Sequence, residues 1–157
     1  MQSTSYSIGD IEAFASRFYQ GRALLITPYA YVITFNSLTA GTTASQVINI
    51  AANADFLALQ FSHRANVAAA AQTISNKTAP LARILVTDSG SNEQFTNSAI
   101  DLENYSTNGN IINTLPYPRI VSGRSTLTIQ LTSYEASQTL NLDIAIEGCL
   151  VRAYSER

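Results

Sequence analysis

What most limits the folds open to this chain is its last third, from Leu115 to Val151, where two strictly alternating runs follow one another. In the first, Leu127, Ile129 and Leu131 share one side, and Thr126, Thr128, Gln130 and Thr132 share the other. In the second, Leu140, Leu142, Ile144 and Ile146 lie opposite Asn141, Asp143, Ala145 and Glu147. Side chains alternate along an extended backbone, so an apolar period of two sustained this long marks a strand with one buried face. The link Ser133–Ser137 is short and polar, which predicts that the two runs pair as one antiparallel hairpin. The outward residues are hydroxyls, amides and a few carboxylates. Such a surface suits solvent or another protein better than catalysis.

A chain of 157 residues can bury a core as one domain without disulfide or metal staples. Charged residues make up only 13% of it, well below the usual quarter, and Ser, Thr and Asn carry the polarity instead. Those residues suit strands and turns. They also suit extensive protein contact, because charged groups are depleted at interface cores.

Several function classes fall away on composition. The formal net charge is −2, Lys77 is the sole lysine, and the eight arginines are scattered. No basic cluster forms a nucleic-acid groove. No apolar run is long enough for a spanning helix, so no membrane partner is expected. The N-terminal MQSTSYSIGD lacks the basic start and apolar core of a secretory signal. Cys149 is the single cysteine, which excludes an intrachain disulfide, and its apolar neighbours predict an inert buried thiol.

The pattern divides the chain into an N-terminal arm, residues 1–22, and a single β-sandwich domain, residues 23–157. In the arm, Ile8, Ile11, Phe14 and Phe18 recur at roughly helical spacing, with Ser7 or Asp10 available as a cap and Gly21 to end the helix. A helix this short is marginal alone and must pack on its own sheet or on a neighbour. These four residues are therefore candidate assembly contacts. The body reads as strand after strand: Leu24–Thr27 and Tyr29–Phe35 around Pro28, Gln46–Ile50, Phe56–His63 with Leu57, Leu59 and Phe61 on one side, Leu81–Thr87, and a weaker Phe95–Leu102. Turns fall at Leu38–Thr42, Ala51–Asp55 and Asp88–Asn92. The segment Ala65–Gln72 fits either a helical turn or a close-packed loop. Regularly spaced strands without βα alternation indicate an all-β fold, an antiparallel sandwich or jelly roll with a short N-terminal helical arm.

The catalytic search is nearly empty. The one histidine, His63, closes an alternating strand and is expected at a rim, and a site built from several histidines or cysteines is impossible. No G-x-S-x-G motif places a nucleophile. The acids Asp55, Asp88, Asp101, Glu103 and Asp143 fall in separate segments, from which a hydrolase pair could be assembled only by the fold. The run Asp88–Glu93 lacks the alternating acids of a calcium loop and reads as a tight turn. No metal and no cofactor is expected.

Three segments resemble a family of small structural proteins of tailed-bacteriophage virions. They are LTAGTTASQVINIAANADF at Leu38–Phe56, ILVTDSGSNEQFTNSAIDL at Ile84–Leu102, and the Leu115–Gly148 stretch that opens with Leu-Pro-x-Pro-Arg. Asn92 and Cys149 depart from the family's pattern, in which a second glycine and an aromatic are usual. The resemblance implies a non-enzymatic virion component, assembled in the host cytoplasm, that decorates or cements the capsid or forms part of the collar or neck. It implies as partners other copies of the same chain and the major capsid or portal and neck proteins. The alternative is a carbohydrate- or receptor-binding jelly-roll module of a fibre or spike, which a cleft with Asn, Asp and an aromatic wall would favour.

Overall fold

A computed structural model describes residues 5–68, 77–109 and 113–154. In chain order its elements are α1 (Ile8–Phe18), β1 (Leu24–Leu38), β2 (Thr43–Asn49), β3 (Asp55–Val67), β4 (Ala82–Asp88), β5 (Glu93–Gln94), β6 (Ile100–Asp101), α2 (Leu102–Tyr105), β7 (Thr114–Val121), β8 (Thr126–Ser133) and β9 (Leu140–Ala153). One sheet runs β1-β9-β3-β7 and the other β2-β8-β4-β5, with β6 also on β4. All of these pairings are antiparallel. Successive long strands change sheet at each connection, and that order is the double Greek key of a jelly roll.

The two alternating runs of the last third are both strands, and all seven of their inward Leu and Ile residues are sealed from water. They are not a hairpin. β8 pairs with β2 and β4, whereas β9 pairs with β1 and β3, so the two runs belong to opposite sheets. The link between them crosses the sandwich instead of folding back. Leu127, Ile129 and Leu131 meet Leu140, Leu142, Ile144 and Ile146 within a single core cluster between the sheets. Alternation fixes which face of a strand is buried, but it is silent on which strand lies beside it.

β3 departs from the expected pattern in a second way. Phe56 and Ala58 point into the core, as do Phe61 and Ala65, while Leu57 and Leu59 belong to a separate cluster on the outer face. The parity switches because a bulge between Ala58 and Gln60 adds one residue to the strand. Phe61 therefore does not share a side with Leu57 and Leu59. Gly148 sits opposite the bulge, where a Cβ would come within 1.9 Å of the Leu57 carbonyl oxygen. Only glycine admits that approach.

Of the weaker strand expected at Phe95–Leu102, only Ile100–Asp101 is extended, as β6; a loop separates it from β5, and Leu102 already begins α2. Ala65–Val67 continue β3, whereas the part of that segment beyond Ala68 lies outside the described residues. No described helix is long and apolar enough to cross a membrane.

Candidate functional site

The arm is helical, and its start is fixed locally. Ser7 Oγ accepts from the Asp10 amide at 3.1 Å, and the Asp10 carboxylate accepts from the Ser7 amide at 3.1 Å. Both free amides are thereby satisfied in a capping box. These bonds hold the Asp10 carboxyl below its ordinary range. After Phe18 the chain turns through Gln20 and Gly21, both with positive φ.

The four candidate contacts divide into two pairs. Ile11 and Phe14 pack onto the outer face of the β1-β9-β3-β7 sheet, over the cluster of Leu57, Cys149 and Val151. Ala15 is fully buried beneath the helix, and Phe14 meets the Tyr117 ring edge-on at 5.1 Å. Tyr19 hydroxyl donates to Asp55, whose other oxygen accepts from the Gly123 amide at 2.8 Å. The arm is thus docked on its own body. Ile8 and Phe18, at the two ends of the helix, stay 77% and 56% exposed, the Phe18 ring meeting Tyr19 edge-on at 5.0 Å. Under the helix, burial pushes the Cys149 thiol up, which suits its inert role.

His63 is not at a rim. It is 5% exposed, because the bulge in β3 turns its side inward. Its Nδ1 lies 2.8 Å from Ser106 Oγ and its Nε2 lies 2.7 Å from Glu103 Oε1. A serine, a histidine and a carboxylate in line suggest a nucleophile at first sight, but the order of access is reversed. Ser106 is the buried end and Glu103 the solvent end. A substrate reaching this line would meet the carboxylate and not the hydroxyl, contrary to the geometry a nucleophile needs. The backbone supports a structural role: the His63 amide donates to the Thr107 carbonyl at 2.8 Å, and the Thr107 amide donates to the Phe61 carbonyl at 3.0 Å. The trio ties α2 and the chain after it to β3. Asp88 is likewise occupied, accepting from the Gly90 amide at 2.8 Å and the Ser91 hydroxyl at 3.0 Å, as a tight turn requires. Among the described residues no group of three or more His, Cys, Asp or Glu is placed to hold a metal ion.

A cleft lies where α2, the β5–β6 loop and β7 meet. It has a volume of about 500 Å3, with Phe95 and Tyr105 on one side, Tyr117 at the lip, and Asn104, Asn113 and Arg119 as its polar groups. Tyr117 is 72% exposed. The Phe95 face is already covered, since the Arg119 guanidinium stands 4.2 Å above it while bonding Glu93 at 2.9 Å. Burial pushes the Tyr105 hydroxyl up to about 12. Sequence reading missed this cleft because its walls come from three separate segments, and aromatic residues alone do not reveal that they converge.

No family model matches the chain, and no curated protein matches it in sequence.

Proposed function

We propose that the protein is a non-enzymatic structural component of a tailed-phage virion, a capsid decoration or cement protein or a part of the collar or neck, held by contacts with its own copies and with capsid or portal and neck proteins. The observation that carries this reading is the arm. Its helix has docked on its own sheet, yet Ile8 and Phe18 are left 77% and 56% exposed at its two ends. Burying each is worth roughly 1.5–3 kcal/mol, a gain left for a neighbour to collect. The phage-like segments at Leu38–Phe56, Ile84–Leu102 and Leu115–Gly148 agree with that use. Mass spectrometry of purified virions, with copy number measured, tests it. Hundreds of copies per particle assign the protein to the capsid and about a dozen to the neck, as the symmetry of each site demands. Absence from the particle sinks the reading.

The second reading is the carbohydrate- or receptor-binding module. The cleft of Phe95, Tyr105, Asn104 and Asn113 favours it, being of ligand size with an apolar wall and amide donors. Glycan binding that is lost in Tyr105→Ala while the fold persists would establish it.

A further inference from the structure

The two flanks of the sandwich are built differently. On one flank the edge strand β7 carries Pro116 and Pro118, with Arg119 paired to Glu93 beside it. Those are ordinary ways to blunt a sheet edge. The other flank is formed by β1 and β2, the free edges of the two sheets. From Ala23 through Ala54 the sequence contains no Asp, Glu, Lys, Arg or His, so all nine basic and eleven acidic residues of the chain lie elsewhere. That uncharged stretch is what folds into both edges.

The two edges are bound into one surface. The Gln46 side-chain Nε2 donates to the Thr34 carbonyl, and the Ala51 backbone amide donates to the Tyr31 hydroxyl at 3.0 Å. A small groove of about 160 Å3 runs between them past Phe35, Leu38, Thr42 and Gln46. Backbone groups of alternate residues point to opposite sides of an antiparallel strand. The Thr34 carbonyl turns toward β2, so Pro28, Ala30 and Val32, of the same parity, direct theirs away from β9. Pro28 sits where its missing N–H costs the sheet no bond. Val32, 62% exposed, projects beside this edge, as do Tyr29 and, on β2, Val47.

We propose that the β1–β2 flank docks a second copy of this chain, edge to edge and antiparallel about a two-fold axis. Charge decides for a copy over another partner. In a two-fold contact each residue near the axis meets itself or its near neighbours, so any charge there meets a like charge. Two edge strands with no charge of their own meet that condition along their length, while a charged peptide or nucleic acid would find no partner on them. The nearest charges are one strand in or at the ends of the flank: Arg152 lies in register with Leu25, Arg124 sits on the Ala52 carbonyl, Asp143 lies in register between Thr34 and Arg64, and Glu147 is held by Gln60 and Ser62 on the side away from β1. The size also suffices. β1 has 15 residues. At about 3.3 Å per residue it spans about 50 Å, more than twice the length of an ordinary strand pairing. The inference deepens the homo-oligomer reading above and rests on it only in that copies must meet.

Sedimentation velocity on the full chain at micromolar concentrations tests it, with circular dichroism melts to check each variant's fold. The expected result is self-association that rising salt does not weaken, reduced about tenfold or more in affinity by Val32→Lys, which brings one lysine from each copy into the contact. Val47→Lys should give a loss from the second edge, so the outcome does not hang on one variant folding. Gln94→Lys, an exposed position on β5 at the far edge of the sheet that holds β2, should associate as the parent does. Association that survives both edge variants but is abolished by Phe18→Asp places the contact on the arm, which overturns the flank and leaves the homo-oligomer reading standing. A chain monomeric at every concentration overturns both.

Discussion

Single positions carry sharply different weights in this sandwich. Ile144 is fully buried between the sheets, so Ile144→Ala should cost roughly 2–5 kcal/mol, whereas Thr128→Ala on the outer face should cost little; urea denaturation of both variants checks the contrast. Gly148→Ala should be as damaging as the core truncation although it adds a single methyl. The new Cβ would strike the Leu57 backbone, which cannot swing aside as a side chain would, and overpacking of that kind costs about 3 kcal/mol. His63→Ala should cost about 1–3 kcal/mol by leaving the buried Ser106 hydroxyl unpaired. Tyr105 supplies a pH effect with a definite sign. Its folded value is raised to about 12, above the ordinary value near 10, so the folded chain keeps its proton where the unfolded chain has lost it. Its contribution is fully present below pH 10 and is lost as pH rises through 12. The melting temperature should fall across that window, and less steeply in Tyr105→Phe.

At the scale of elements, the arm is the part whose removal is most informative. Its Ile11, Phe14 and Tyr19 cover an outer-face cluster, while the main core lies wholly between the sheets. Deleting residues 1–20 should therefore leave a cooperative melt at a lower temperature, with weaker self-association or particle binding. A truncated chain that fails to fold would make the arm part of the core and remove its assembly role. The same scale shows what sequence could and could not reveal. The helix at Ile8–Phe18 was legible because its cap, stripe and glycine are all local. The buried faces of β8 and β9 were legible because alternation is local. Their partners were not, since a strand's neighbour is set by sheet closure across the whole chain. The burial of His63 was hidden for a related reason: one bulge, seated on Gly148 far along the sequence, reverses the parity of everything after it. The cleft at Tyr105 and Tyr117 likewise exists only once three segments meet.

For the whole molecule the decisive question is what its uncharged surface is for. Jelly rolls serve many functions, so the architecture alone does not choose among them. The distribution of charge is more discriminating. A solitary domain gains by spreading charge over its surface, since like-charged molecules repel and stay dispersed. This chain instead builds both edge strands of one flank without a charged residue, and it leaves Ile8 and Phe18 exposed on the arm. Both arrangements lower the cost of bringing copies together, and neither improves the fold of one copy. If association stabilises the native chain, the unfolded chain does not share in it, and mass action makes the melting temperature depend on concentration. Light scattering at micromolar concentration should therefore report a mass above the 17.0 kDa of one chain. The melting temperature should climb as the protein is concentrated. A mass of one chain with a concentration-independent melt would mean the exposed apolar residues have no partner among copies of this chain, and the ligand-sized cleft at Tyr105 would become the stronger guide to function.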